Sequence, residues 1–216
     1  MSLAPSSPSL RNPPFRRLKQ IWCLGVLVGL AASLRGTTVA PPAFSDLVNQ
    51  SDYIVRAVVK SVSSEHARTN SRKIVTQVEL EVREIIAGQP PQPLVLRVLG
   101  GKVGDQEMIL EGVPQFKTGE EHILFVQGNG RQMYPLVAMM HGVYPIKREP
   151  SGREFMTRSN AVPLQDASEV VLPMTSGSAA ELQRRMRGTA EALTPDQFAQ
   201  QIRAAVKASN TRLNER

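Results

Sequence analysis

The feature of this sequence that most constrains its fold is a regular alternation of side chains between Ile74 and Ile86. Thr76, Val78, Leu80 and Val82 fall on one side of an extended chain, and Gln77, Glu79, Glu81 and Arg83 fall on the other. A period of two is typical of an antiparallel strand that buries one face and exposes the other. The segment therefore predicts a half-buried antiparallel strand, which needs neighbouring strands to complete a core.

Other segments of strand character lie on both sides of this one, with turn residues between them. Residues 53–62 are mostly apolar and β-branched, which suits a strand that is buried on much of both faces. Further strands are predicted at 94–99, 107–110, 122–127, 133–140, 142–146 and 154–157, and a polar, basic loop is predicted at 63–73. Many short strands at regular spacing favour a barrel or a sandwich.

Helices are predicted near both ends of this β region. Residues 43–50 have apolar positions at helical spacing behind a cap at Ser45. After a short linker at 176–178, helical segments are predicted at 179–187 and 194–206. In the last segment the cap residues are Thr194, Pro195 and Gln197, and the apolar stripe consists of Phe198, Ile202, Ala205 and Val206.

The first 36 residues have the layout of a secretory signal peptide, in which basic residues precede an apolar run at 21–34. A run of about 14 residues is shorter than the roughly 20 that a membrane-spanning helix needs, so cleavage is expected, between residues 33 and 40. An uncleaved anchor or a buried core helix is the alternative. The chain is thus expected to be exported, to the periplasm or outside the cell, and to meet a membrane only through this segment if it is uncleaved.

The positive charge of the chain is concentrated in the same segment. The whole sequence has 26 basic and 19 acidic residues and a net charge of +7, but residues 1–36 hold five of the basic residues and no acidic one. Removing them leaves 21 basic against 19 acidic residues, a net charge of about +2. A nucleic-acid partner is therefore not expected. Cys23, the only cysteine, also lies there, so no disulfide and no cysteine-based metal site is expected in the mature chain.

No motif in the sequence specifies a reaction, a cofactor or a metal. His66, His122 and His141 lack the spacing that places two imidazoles on one metal ion. His122 follows Glu120 and Glu121, a cluster that could perform acid–base chemistry or could be solvated charges at the start of a strand.

Two further groups have a structural reading that outweighs a functional one. The glycine-rich segment 100–104 is more typical of a hairpin turn than of a phosphate-binding loop. Glu79 and Glu81 alternate on the outer face of the predicted strand, which is more typical of a solvated edge than of a glycosidase pair.

Three stretches resemble the motifs of an uncharacterised exported bacterial protein family. That family begins L-V-x-x-A-D-x-I-V-x-G-x-V, continues V-x-E-V-L-K-G, and then has G-G-x-V-G followed by G-x-P-x-F-x-x-G-E-x-x-L-F-L. The matching stretches here run from Leu47 to Val58, from Val82 to Gly88 and from Gly100 to Val126. The resemblance covers about residues 44–147 and implies the family without implying a function.

The stretch from Ser51 to Val59 also resembles the start of the OB-fold of netrin modules and tissue metalloprotease inhibitors, which reads S-D-x-V-I-R-A-x-V. This resemblance implies an OB-like barrel and, being at the level of the fold, does not transfer a function. Those inhibitors hold the protease zinc through an N-terminal cysteine, and the mature chain would have no cysteine. Inhibition by that route is therefore not implied.

The sequence thus predicts a mainly β protein. We expect a signal peptide at 1–36, an OB-like antiparallel β-barrel with a short N-terminal helix at 41–175, and a helical tail at 176–216. The expected function is that of a non-enzymatic binding or interaction module with a protein partner and no cofactor. The alternatives are a modulator of an extracellular protease and a hydrolase with an unrecognised site.

Loops on a rigid scaffold often carry function, which makes the long connection between residues 100 and 119 the candidate interaction loop. Its candidate residues are Gly100, Gly101, Val103, Gly104, Pro114 and Phe116.

Overall fold

The computed structural model describes residues 41–68, 70–110, 112–174, 182–183 and 188–214. The predicted signal peptide and the predicted linker lie outside these ranges. Only residues 182–183 of the first tail helix lie within them.

The described chain consists mainly of β-strands, with one helix near each end. In chain order the elements are α1 (Phe44–Asn49), β1 (Tyr53–Ala67), β2 (Asn70–Gly88), β3 (Leu94–Leu99), β4 (Gly101–Val103), β5 (Gln106–Met108), β6 (Glu121–Val126), β7 (Val143–Arg148), β8 (Glu154–Met156) and α2 (Pro195–Asn214). Short 3₁₀ turns lie at Met139–Gly142 and Ala167–Val171.

Six strands form one sheet in the order β3-β2-β1-β6-β7-β8, and all of its neighbours are antiparallel. β4 and β5 form a separate two-stranded hairpin. The expected mainly β, antiparallel fold is therefore confirmed. The closed barrel is not confirmed, because β3 and β8 are the two edges of this sheet and do not pair with each other among the described residues.

The hairpin of β1 and β2 is much longer than the sequence predicts. Pairing continues from Tyr53 opposite Gly88 to Ala67 opposite Asn70. The expectation of a loop at 63–73 is thus wrong over most of its length. Its polar composition arises because this end of the hairpin is largely exposed, whereas a half-buried strand would show alternation.

The sheet buries a separate apolar cluster on each of its faces. Along β1, Ile54 belongs to one cluster and Tyr53, Val55 and Ala57 belong to the other. This follows from the period of two, since successive side chains of a strand point to opposite faces. The first cluster contains residues from both helices, among them Leu47, Phe198 and Ile202, and we call its side of the sheet the helix face. We call the other side the loop face, because Val113 and Phe116 pack there.

Helix α2 begins with the predicted capping box. The Thr194 hydroxyl accepts from the Gln197 amide at 3.3 Å, and the Gln197 side chain accepts from the Thr194 amide at 2.9 Å. Phe198 and Ile202 of the predicted stripe are fully buried, while Ala205 and Val206 are partly buried. The pattern of the sequence alone thus locates the start of this helix and its buried side, although the helix continues to Asn214, eight residues beyond the predicted end.

Two local expectations are wrong. Helix α1 begins at Phe44 with Ala43 at the cap position, so Ser45 lies inside the helix and does not cap it. Residues 133–140 form no strand and make only a single bridge, between Leu136 and Val126. Their apolar character reflects burial of Leu136 and Val137 in an irregular segment, which periodicity cannot distinguish from a short strand.

Candidate functional site

The predicted interaction loop crosses the loop face of the sheet. Its hairpin, β4 and β5, begins where the chain leaves β3, and the Thr76 hydroxyl donates to the Gly100 carbonyl at 2.5 Å. A Cβ at position 101 would lie 2.2 Å from the Thr76 hydroxyl oxygen and 2.5 Å from that of Ser64. A glycine at this position therefore permits the close approach of the loop to the long hairpin.

Between the sheet and this loop lies a cavity of about 230 Å³, which we call the loop groove. Its floor consists of Val62 and Ser64 from β1, Thr76 and Val78 from β2, and Val98 and Leu99 from the end of β3. Its wall includes Met108, Ile109, Leu110, Val113 and Phe116. Most of these side chains are apolar, so the groove suits an apolar group.

The structure places the six predicted loop residues in two groups. Gly100, Gly101, Pro114 and Phe116 line the loop groove. Val103 and Gly104 lie outside it, at the turn of the β4–β5 hairpin, where Gly104 has a φ of 56°.

Sequence reasoning missed the floor of the groove and the exposed apolar residue of its wall, Ile109. Val62 lies in the segment predicted as the first strand, and Ile109 lies in a weak strand prediction. Ile109 is 69% exposed. The sequence holds no signal that unites these residues, because they come from four separate segments.

No protein-family model and no curated protein matches the sequence of this chain. Among the described residues, no group of three or more histidine, cysteine, aspartate or glutamate side chains could hold a metal ion. No helix in the described part of the chain is long and apolar enough to cross a membrane.

A second cavity, of about 280 Å³, lies at the start of β6, and we call it the His122 pocket. Its lining includes Glu120, His122, Lys147, Arg158 and Ser159. His122 is buried, with only 3% of its surface exposed. Its ring meets the ring of Phe116 edge-on, with the ring centres 5.5 Å apart.

The environment of His122 favours the neutral imidazole. Burial lowers the pKa of His122 from 6.5 to about 4, and the positive charge of Lys147 also lowers it, while Glu120 opposes both effects. The Nε2 atom of His122 lies 3.6 Å from a carboxylate oxygen of Glu120, beyond hydrogen-bond distance. Neither ring nitrogen has a hydrogen-bond partner among the described residues.

The predicted acid–base cluster is divided between the two faces of the sheet. Glu121 is adjacent to His122 in β6, so its side chain points the other way. It accepts from the Arg56 guanidinium at 2.6 Å, next to Glu154, which accepts from the same guanidinium at 2.8 Å. Only His122 and Glu120 therefore remain together.

The backbone around the His122 pocket contains unusual conformations. Ala138 and Met139 have φ values of 48° and 57°, and Ala161 has a φ of 62°. Ala161 lines the pocket, as does Met140, which follows Met139. Residues other than glycine rarely adopt positive φ values, and such strain is concentrated at functional sites.

The two carboxylates of β2 that the sequence singled out are both paired with cations. Glu79 accepts from Lys60 at 2.7 Å, and this pair lies at the surface. Glu81 lies 2.8 Å from Arg83. Both carboxylates are therefore paired at the surface, but on a strand that lies between β3 and β1 and not at an edge of the sheet.

Proposed function

We propose that this protein is an exported, non-enzymatic binding module, and that the loop groove is its binding surface. The observation that supports the proposal is an apolar groove whose wall residue Ile109 is 69% exposed. Val62, on the floor, is also exposed, at 36%. Exposed apolar side chains around a concavity mark interaction sites more often than isolated ones do.

The finer parts of this proposal follow from the sequence. Export is supported by the signal-peptide layout of residues 1–36. We also propose that the β region is related to the OB-fold, for which the mainly antiparallel sheet with flanking helices is the supporting feature.

The groove can be tested by a pair of charged substitutions. The full chain, with an affinity tag at its carboxyl end, is expressed in the source cells and recovered from their exported fraction. Ile109→Asp places a charge on the groove wall, whereas Ile85→Asp places the same charge at another exposed isoleucine, outside the groove. We expect a partner to be recovered with the wild type and with Ile85→Asp, and to be reduced about tenfold with Ile109→Asp.

Two outcomes contradict the proposal. Equal recovery of every partner with Ile109→Asp would show that the groove does not bind. Retention of all of the chain in the cytoplasm, with residues 1–36 intact, would contradict export. The first residue of the recovered protein, read by mass spectrometry, also locates the cleavage site.

A second candidate function is hydrolysis in the His122 pocket. The supporting observation is that a buried imidazole, a carboxylate 3.6 Å from it and the strained residue Ala161 meet at one cavity. Chromogenic esters, amides and glycosides provide the assay. This function predicts an activity that His122→Ala abolishes and that His66→Ala, at an exposed histidine, retains. An activity that survives His122→Ala would exclude this pocket.

A further inference from the structure

The outer edge of β1 is open over its second half. β6 pairs with β1 from Tyr53 to Val58, and Val59 makes the last two contacts, with the Glu120 carbonyl and the Gly119 amide at 2.8 Å each. From Ser61 to Ala67, β1 pairs with β2 on its inner side. No strand of the described residues pairs with its outer side. This leaves about 23 Å of free edge at roughly 3.3 Å per residue.

Between Ser61 and Ser64, this edge lacks the usual devices that prevent edge pairing. Natural proteins block open edges with proline, with inward-pointing charges or with bulges along the edge. Here the edge begins after a bulge at Lys60, whose ammonium group donates to Glu79 at 2.7 Å. Glu65 and a second irregularity, between His66 and Ala67, follow at its far end. Residues 61–64 are uncharged and contain no proline. A strand of another chain can therefore approach the main chain there.

The loop groove adjoins the same edge. Val62 and Ser64 belong to the free edge and also form part of the groove floor. A strand added to a sheet alternates its side chains between the two faces. Every second side chain of an added strand would therefore lie over the loop face, next to Val62 and the groove.

The far end of the edge carries unpaired positive charge. Arg68, Arg72 and Lys73 lie at the tip of the β1–β2 hairpin, within two to seven residues of His66, and all three are exposed. None of them forms an ion pair with another described residue, and the one acidic side chain of the free edge, Glu65, accepts from the Gln77 side-chain amide at 2.6 Å. This basic tip favours acidic side chains on whatever lies beside it.

We propose that the free edge of β1 receives an extended segment of a partner protein, which pairs with the main chain as an added strand. The segment runs antiparallel to β1, as β6 does, so its amino end lies beside the basic tip. It carries acidic residues at that end and then alternating apolar residues, of which one enters the loop groove. This proposal rests on the proposed function, since it uses the loop groove as a binding surface, and it specifies how the partner binds.

The test uses synthetic ten-residue peptides and the tagged chain purified from the exported fraction. In the peptides, valine, leucine, isoleucine or phenylalanine alternates with threonine after two glutamates, and a matched series carries two lysines instead. We expect at least one glutamate peptide to bind with a micromolar dissociation constant by fluorescence anisotropy, and its lysine counterpart to bind roughly tenfold more weakly. Failure of every glutamate peptide to bind would overturn the proposal.

Main-chain pairing is tested by N-methylation of the best peptide. Successive N–H groups of a strand point to opposite sides, so only alternate ones can face β1. One peptide is methylated at the odd positions and another at the even positions. We expect one of the two to lose binding and the other to retain it. Equal behaviour of the two peptides would show that binding does not involve strand addition.

Variants of the protein separate this inference from the proposed function. Arg72→Glu combined with Lys73→Glu should weaken the glutamate peptide roughly tenfold, and Arg97→Glu, on an exposed position of β3, should not. If Ile109→Asp abolishes partner recovery while no peptide shows the alternating effect of methylation, the groove binds and strand addition is wrong. If the methylation effect is present and Ile109→Asp has no effect on peptide or partner, the edge binds and the groove is not used.

Discussion

At the scale of single residues, burial of His122 makes the stability of the folded protein depend on pH. Its pKa is about 4 in the folded protein and near 6.5 when the chain is unfolded. The unfolded state therefore binds the proton more readily between these values, and the folded state loses stability as the pH falls through this window. His66 is a control for His122, because it is an exposed histidine near the end of β1.

We predict that the free energy of unfolding falls by about 2 kcal/mol between pH 7 and pH 5, because the unfolded chain gains a proton at His122 that the folded chain resists. Urea unfolding at several pH values measures this. His122→Leu should remove most of the loss, whereas His66→Gln should retain it. A His122→Leu variant with the same pH dependence as the wild type would show that another group is responsible.

Gly101 is constrained by its surroundings, and Gly104 is constrained by its backbone alone. Both have positive φ values, of 130° and 56°. A Cβ at Gly101 would overlap the Ser64 and Thr76 hydroxyl oxygens, while a Cβ at Gly104 meets nothing within 4 Å. Alanine at position 101 would therefore meet both steric overlap and a conformational cost, whereas alanine at position 104 would meet the conformational cost alone.

We predict that Gly104→Ala lowers the free energy of unfolding by about 1 kcal/mol, the usual cost of a positive φ for alanine, and that Gly101→Ala lowers it by at least about 2 kcal/mol. Thermal and urea unfolding of the two variants provide the comparison. Equal losses would mean that the loop moves away from the long hairpin at little cost.

At the scale of elements, α2 is held by one aromatic cluster on the helix face. Phe198 is fully buried, and its ring centre lies 5.1 Å from that of Tyr144, 6.0 Å from that of Phe44 and 6.2 Å from that of Phe125. The contacts join the last helix to α1, β6 and β7. Helix α2 is thus packed on the sheet by the stripe that the sequence predicts.

We predict that Phe198→Ala lowers the free energy of unfolding by about 3–5 kcal/mol, because a fully buried aromatic ring leaves a cavity when truncated. Val206→Ala, at a partly buried position of the same helix, should cost about 1 kcal/mol. The measurement is urea unfolding followed by the circular dichroism of the whole chain. A loss below about 1 kcal/mol for Phe198→Ala would mean that α2 contributes little to the stability of the sheet.

At the scale of the whole molecule, Arg56 joins strands that lie far apart in the sequence. Its guanidinium contacts Glu121 of β6 at 2.6 Å, Glu154 of β8 at 2.8 Å and Asp196 of α2 at 3.6 Å. Burial tends to lower the pKa of Arg56, but the hydrogen bonds and negative charges of Glu121 and Glu154 outweigh this effect and raise the pKa above its usual value. The guanidinium therefore stays charged. The side chain is 18% exposed, which reduces the screening of these pairs by water.

We predict that Arg56→Met lowers the free energy of unfolding by about 2 kcal/mol, because Glu121 would lose its counter-charge and Glu154 would keep only Arg148, 2.5 Å away. Arg83→Met, which breaks an exposed pair with Glu81, should cost less than about 0.5 kcal/mol. Chemical unfolding at pH 7 in low and high salt tests both. A negligible effect of Arg56→Met at low salt would show that the two glutamates are sufficiently solvated without it.

The sequence by itself determines the position of three main elements of this protein. The alternation at Ile74–Ile86, the β-branched run after Tyr53 and the capping box at Thr194 each act within one element, so residue patterns are enough to locate β2, β1 and α2. The same patterns fail where structure depends on distant contacts. The segment at 133–140 is apolar because it is buried, not because it is a strand.

Only the tertiary structure decides which residues form the candidate sites. It unites Val62, Val98 and Ile109 in one groove and separates Glu121 from His122, because sheet pairing joins distant segments while strand geometry directs neighbours apart. It also leaves the outer edge of β1 free from Ser61 onward, since β6 begins opposite Val58 and pairs only with the first half of β1. The loop groove and the free edge of β1 arise from the pairing of strands rather than from any one segment, which is why no local sequence motif predicts them.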